Sequence, residues 1–337
     1  MLPTSASQAD ATAHGTVPPL EQITANVWAC PLALPSHQRR LGYTLSYLLL
    51  DDDGRVHVID PGFDSEENRA RLRAAIAHIG PHGVVASILI THLHEDHLGL
   101  ADALREETGA RVVMHRTEAD ALERRRATAG PDLAVWAVPH DRRSEIKSLR
   151  ASLRPDEPVV HSDVLLDGTV DRFDAGDVEI EALHTPGHTS GHVCFRLAAD
   201  KLLFSGDHVL PALHPGIGLG GRDAGDDPVG DYQRSLDLLS PFGDHQVLPG
   251  HNFRFTGLLQ RVDQHRRHHQ RRTDEVMAVM QTDPDATTWD VASSLTWTAG
   301  WKNMRGFYLY SALAQTQMHI DHVRATQIPR PTSGAAA

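Results

Sequence analysis

At 337 residues the chain is long for one domain and allows one large domain with an appendage, and hydrophobic residues at 40% suffice for a sizeable core. A formal net charge of −12 argues against general affinity for nucleic acid, though not against a local basic patch. Two cysteines without Cys-x-x-Cys spacing exclude a disulfide framework, and no apolar run approaches the ~18 residues that would cross a membrane.

Residues 1–19 are rich in Ala, Ser, Thr and Pro, without a basic start or an apolar run. They are expected to form a disordered arm rather than a secretory signal, which leaves the cytoplasm as the expected location. A main domain is predicted over residues 20–258. It opens with strands at Asn26–Ala29 and Tyr43–Leu50, an Asp-Gly turn at residues 51–54, and a returning strand at Arg55–Ile59. His57 in that strand is expected to be structural. Ser65–Ile79 reads as a helix, capped by Asp64 or Ser65, with Glu66 and Glu67 at its positive end and Gly80-Pro81 stopping it.

The mostly β-branched and aliphatic run Val84–Ile90 reads as a buried strand. Directly after it, Thr91–Gly99 places four side chains able to bind a metal within six positions: His92, His94, Asp96 and His97. Alternation would aim His92 and His94 the same way, while Asp96 and His97, past the bend, would face a second point nearby. The carboxyl end of a strand is the usual place for a site in an α/β protein. A short strand at Arg111–Met114 continues the βαβ alternation.

Residues 116–162 lack strand signals and read as a helical insert. It is either a substrate-binding lid with Trp136 on its apolar face or a cap packed by Trp136 onto the body. Arg124, Arg125 and Arg126 read as a solvated face. Strands resume at Val164, Val178–Leu183, His192–Leu197 and Lys201–Phe204. Three glycine-containing turns then each present one His or Asp just past an apolar run: His188 in Thr185-Pro186-Gly187-His188, Asp207 in Ser205-Gly206-Asp207, and His251 in Pro249-Gly250-His251. His214, in the Pro/Gly-containing loop after Asp207, is a candidate substrate contact. An amphipathic helix is predicted over Asp231–Leu239, with Tyr232 in the core.

A helical module is expected over residues 259–328. Its first helix, Gln260–Met280, carries His265, His268, His269 and five Arg; His265 and His269 could share a face, but packing is favoured there over a third metal site. Helices at Thr288–Leu295 and Met304–His322 follow, with Trp289, Trp297 and Trp301 supplying apolar mass. Residues 329–337 read as a loose tail.

The four ligand-bearing turns, in this order, resemble those of the metallo-β-lactamase-fold hydrolases. The likeness covers roughly residues 23–255. The fold it implies is α/β: an αββα four-layer sandwich, here with a helical insert and a small C-terminal, winged-helix-like module. It implies that His92, His94 and His188 bind one metal, that Asp96, His97 and His251 bind the other, and that Asp207 bridges them. The antibiotic-degrading branch has a Cys in place of that bridge or lacks it, whereas Asp207 is similar to the glyoxalase-II, thioesterase, lactonase and nuclease branches. Asp60, in an Asp-x-Gly turn, is expected to orient a ligand from outside the donor set.

Five His and two Asp without thiolate suit two divalent cations, Zn²⁺ first and Fe or Mn next. A metal-bridging hydroxide, available because Zn²⁺ lowers the pKa of its water to about 7, would be the nucleophile, with Asp96 orienting it or taking its proton. The first reading is hydrolysis of a small acyl thioester or ester. A lactonase, a phosphodiesterase or ribonuclease acting on nucleic acid, and a di-iron redox protein rank lower. Whether the helical module builds a homodimer is left open by the sequence.

Overall fold

The computed structural model describes residues 1–35, 41–127, 160–219 and 225–327. In chain order the first half runs β1 (Leu2–Pro3), α1 (Ala6–His14), β2 (Glu21–Gln22), β3 (Val27–Ala33), β4 (Tyr43–Leu50), β5 (Val56–Ile59), α2 (Glu66–Ile79), β6 (Val85–Leu89), α3 (Glu95–Leu98), α4 (Ala101–Thr108), β7 (Arg111–His115) and α5 (Arg116–Ala127). The second half runs β8 (Val164–Leu166), β9 (Val170–Ala175), β10 (Val178–His184), β11 (Val193–Leu197), β12 (Leu202–Gly206), α6 (Pro228–Leu239), β13 (Gln246–Pro249), β14 (Phe255–Thr256), α7 (Leu258–Thr282), α8 (Thr288–Ser294) and α9 (Gly306–Gln327).

These strands make two seven-stranded sheets, ordered β2-β3-β4-β5-β6-β7-β8 and β1-β14-β13-β12-β11-β10-β9. Both are mixed. The β5–β6, β6–β7, β7–β8 and β12–β13 pairs are parallel, so their carboxyl ends gather on one side, where a crossover or turn must follow each strand. Alternation gives each sheet two apolar faces. The inner faces meet in a core that includes Tyr43, Leu45 and Tyr47 from one sheet and Phe195, Phe204 and Leu248 from the other. The first sheet's outer face buries Leu48, Val58, Ile88 and Val112 against Leu72 and Ile76 of α2, Leu104 of α4 and Leu122 of α5. The other outer face buries Leu203 and Val247 against Tyr232 and Leu236 of α6 and Val262 of α7. Helix, sheet, sheet and helix follow one another, as expected for an αββα sandwich.

Several local expectations hold. Ser65 caps α2 by accepting a hydrogen bond from the Asn68 amide, and Gly54 takes a φ of 74° in the turn after β4. His57 is buried between Ser87, at 2.7 Å, and Asp51, at 3.3 Å. Cys30 and Cys194 are free and buried.

The amino-terminal arm is a correction. Residues expected to be disordered form β1, which pairs with β14, and α1, capped by Ser5. Gln8 of α1 is fully buried; its side chain accepts a hydrogen bond from the Arg254 amide at 3.0 Å, and its carbonyl accepts one from the Tyr43 hydroxyl at 3.0 Å. A composition poor in apolar residues conceals such ordering, because here polar side chains and a sheet edge hold the segment rather than buried apolar area. Strand β9 was also unmarked in the sequence: its pattern Val-Asp-Arg-Phe-Asp-Ala buries only Phe173 and Ala175.

Helix α5 opens the insert, and β8 rejoins the first sheet beside β7. The expected lid with Trp136, and the tail 329–337, lie outside the described residues. The carboxyl-terminal module is helical: among the described residues it holds α7, α8, α9 and a short 3₁₀ turn, with no strand. Helix α7 spans 25 residues and ties module to body, since Val262 packs on the sandwich while Val276 packs with Val291 and Ile320.

The far half of this seam is rich in buried neutral histidine. Burial, with nearby Arg272 and other histidines, lowers His319 to about 3 and holds His269 well below its ordinary range. The unfolded chain therefore takes up protons first as pH drops below 6.5, the ordinary histidine value. Stability is full above that pH and declines below it, by up to about 1.4 kcal/mol per pH unit for each fully buried ring. The urea midpoint is expected to fall between pH 6.5 and 4.5; a flat profile across that window would contradict this burial.

Candidate metal centre

Seven donors converge at the carboxyl ends of β6, β10, β12 and β13, in two groups: His92, His94, His188 and Asp207, and Asp96, His97 and His251. Within each group the donor atoms all lie within 4.8 Å of one another, close to the separation of up to about 4.4 Å that opposite ligands of one ion bonded at about 2.0–2.2 Å would span. These are all seven residues singled out in the sequence.

Each turn aims its donor for a local reason. His92 and His94 follow β6, His94 in extended backbone, and their rings meet edge to face, with His92 Nε2 2.8 Å from His94 Nδ1. His188 Nε2 lies 3.1 Å from that same His94 Nδ1. Three ring nitrogens thus crowd one point. The chain then bends into α3 one residue after His94, which turns Asp96 and His97 toward the second point. Gly206 carries a φ of 46° in the turn that presents Asp207. At Gly250 a Cβ would sit 2.6 Å from Asp207 Oδ1 and from His97 Cε1, so only glycine lets this turn close on the site.

The outward ring nitrogens are held so that the inward ones face the cluster. Asp60 Oδ2 lies 2.8 Å from His97 Nδ1, while its two oxygens also accept from the Thr91 amide, at 2.8 Å, and hydroxyl, at 2.6 Å. This is the ligand-orienting contact expected of Asp60. His251 Nδ1 lies 2.8 Å from the Tyr43 carbonyl, and His188 Nδ1 lies 2.7 Å from the Gly216 carbonyl.

Asp207 faces both groups. Its Oδ2 lies 3.7 Å from His188 Nε2, and its Oδ1 lies 3.4 Å from both His97 Nε2 and His251 Nε2. Asp96 Oδ2 stands 3.3 Å from His251 Nε2. His97 Nε2, Asp207 Oδ1 and His251 Nε2 are buried yet have no hydrogen-bond partner among the described residues. Buried polar atoms are ordinarily satisfied, so three orphans aimed at one spot fit a cation that would occupy it.

The electrostatics agree. Burial disfavours charge on His97 and His251, but Asp207 and Asp96 outweigh it, lifting His97 well above its usual range and His251 to about 10. Burial likewise opposes ionisation of Asp96 and Asp207, and the facing imidazoles reverse it, lowering Asp96 to about 2 and Asp207 well below the carboxylate range. His92 is held neutral by burial and by its histidine neighbours. The carboxylates thus demand positive charge at this point, which cations can supply in place of protons.

Other residues contribute that the sequence did not mark. His192, fully buried, accepts from the Asp207 amide at 3.3 Å and meets the Thr185 hydroxyl at 2.9 Å. The loop after Asp207 supplies the Gly216 carbonyl to His188 and places the Leu219 carbonyl 3.3 Å from His94 Nε2. His214 in that loop turns to α7 instead: its Nδ1 is 3.1 Å from His265 Nδ1 and its ring stacks on His268 at 3.9 Å. Among the described residues no third group of converging metal donors appears, at His265 and His269 or elsewhere.

Fold and site together define an αββα sandwich protein with a histidine–carboxylate centre at one end of its sheets. Residues 39–251 match the family model described as metallo-beta-lactamase superfamily, and the chain belongs to that superfamily. Among curated proteins it is 23% identical over 248 residues to a beta-lactamase-like protein 2 homolog of Caenorhabditis elegans, covering 73% of this chain and 69% of that one. It is 25% identical over 248 residues to an atrochrysone carboxyl ACP thioesterase of Aspergillus fumigatus, covering 72% and 62%. Over 214 residues it is 28% identical to a hydroxyacylglutathione hydrolase of Rhizobium etli, covering 61% and 65%. The chain thus spans less than two thirds of the length of the latter two. A beta-lactamase domain protein from Burkholderia ambifaria shares the fold across 97% of this chain and 93% of its own, with a TM-score of 0.78 at 22% identity. No described helix is long and apolar enough to cross a membrane.

Proposed function

We propose that this protein is a dinuclear-metal-dependent hydrolase of small acyl thioesters or esters, with His92, His94 and His188 holding one ion, Asp96, His97 and His251 the other, and Asp207 shared. The observation that carries the proposal is Asp207, whose two oxygens face two separate donor groups. Nitrogen and oxygen donors without thiolate suit Zn²⁺. The thioester class is favoured because two relatives matched over most of this chain are named as thioesterase and hydroxyacylglutathione hydrolase.

When bound, the two cations would supply Lewis acidity at the scissile carbonyl and a water nucleophile at neutral pH. Asp96, ionised and buried within the second donor group, would orient that water and accept its proton. Asp60 and the Gly216 carbonyl fix the tautomers of His97 and His188, so both present a lone pair inward. Close packing around His97, His188 and His251 keeps bulk water from their outward nitrogens.

The test is a hydrolysis panel on zinc-reconstituted protein: acyl-CoA thioesters, S-lactoylglutathione, lactones, bis-p-nitrophenyl phosphate and short RNA. Thioesters are expected to exceed the phosphodiesters by at least about 100-fold in kcat/KM, the order of discrimination that the shape of an apolar pocket supplies. RNA or the phosphodiester as the best substrate would overturn the substrate class; no turnover of any would overturn the hydrolase.

A further inference from the structure

Helix α5 leaves the first sheet just past the centre and carries Glu118 in its first turn. The side chain is 1% exposed. A carboxylate so placed must be met by several donors, since burying it otherwise is costly. Its donors come from two separate turns. Glu118 Oε2 accepts from the Leu93 amide at 3.2 Å, and Oε1 accepts from the Gly191 amide at 2.9 Å and from the Thr189 hydroxyl. Leu93 sits between His92 and His94, and Thr189 follows His188. One carboxylate therefore clasps both turns that bear the three histidines of one donor group.

The backbone is fitted to this contact. A Cβ on Gly191 would meet the Glu118 amide nitrogen at 2.6 Å and Thr117 Cβ at 3.0 Å, so the start of α5 rests directly on the turn after His188. Asp60 does the corresponding work for the other half by holding His97 and Thr91.

We propose that Glu118 is a positioning residue for the three-histidine half of the centre: it fixes the spacing between the His92–His94 turn and the His188 turn, and thereby sets that half's affinity for its cation. The proposal rests on the dinuclear reading above. It makes metal affinity depend on where α5 sits, and α5 begins the segment between two ligand-bearing stretches of the chain.

The test is zinc titration of metal-free full-length protein against a chromophoric chelator, with Co²⁺ absorption as a second readout and thermal unfolding as a check on the fold. Glu118→Gln preserves shape, but its NH₂ must oppose either the Leu93 amide or the Thr189–Gly191 pair. In E118Q one equivalent is expected to weaken by about 10–100-fold, the usual cost of losing a contact behind a ligand, while the other keeps wild-type affinity. The Co²⁺ bands of the weakened site should shift. Glu118→Ala should be worse or fail to fold, and E118Q then decides. A folded E118Q that binds two equivalents at wild-type affinity overturns the inference alone, whether or not its Tm drops. Wild-type protein that takes up no zinc overturns the dinuclear reading and this inference with it.

Discussion

Asp207→Ala is expected to lose metal and nearly all hydrolysis while keeping the fold. The carboxylate is the one group that faces both donor sets, with Oδ2 3.7 Å from His188 and Oδ1 3.4 Å from His97 and His251. On the dinuclear reading its removal would take a ligand from each ion and one of the two carboxylates, Asp96 and Asp207, that draw cations between the two imidazole groups. Losing several kcal/mol of charge stabilisation at the reacting carbonyl corresponds to a drop on the order of 10³-fold or more in kcat/KM. The fold should persist, because the apolar core between the sheets lies outside the cluster. Elemental analysis, circular dichroism and kinetics on the same preparation check this. Asp207→Asn, which keeps shape and removes charge, should lie nearer to alanine than to wild type. Full turnover with two bound metals in Asp207→Ala would rule the mechanism out.

The second large effect is on stability. Phe204→Ala is expected to cost about 3–5 kcal/mol, the usual range for truncating a buried aromatic ring. Phe204 is 1% exposed in the core between the sheets and meets the ring of Tyr47, from the opposite sheet, edge-on at 5.1 Å. Tyr47 in turn donates its hydroxyl to the Pro249 carbonyl at 2.8 Å. Phe204 lies three residues before Asp207, and Pro249 two before His251. A cavity here sits beneath two of the ligand turns, so metal affinity should weaken along with stability. Phe204→Leu, which fills more of the space, should cost less than about 1.5 kcal/mol. Denaturant unfolding of metal-free protein measures both; a loss below about 1 kcal/mol for alanine would mean that the sheets are not joined at this contact.

Much of the centre was legible in the sequence because its ligands sit in turns that follow apolar strands, and such turns have a recognisable vocabulary of glycine, proline and histidine. The spacing His-x-His-x-Asp-His needs only local geometry to bring four donors together. Glu118, His192 and the Gly216 carbonyl were not legible. Each acts on a residue far away along the chain, and none stands in an unusual local pattern: Glu118 reads as an ordinary acid in the first turn of a helix. The amino-terminal arm failed for a related reason, since Gln8 and the edge pairing of β1 satisfy groups on β14 and β4 that only the fold brings near. His214 was drawn away from the centre by stacking on His268, from a helix whose packing direction the sequence left open.

The sequence by itself determined the α/β alternation and the seven candidate donor side chains, and the family resemblance of its turns implied the layered sandwich. Hydrophobic periodicity and turn chemistry are local, and they survive without knowledge of neighbours. Only the tertiary structure decided which donors share a point, which carboxylate faces both, and which buried groups hold the rings in place. Those are relations between turns that lie from tens of residues to more than a hundred apart, and they exist only once two sheets have packed and their carboxyl ends lie side by side.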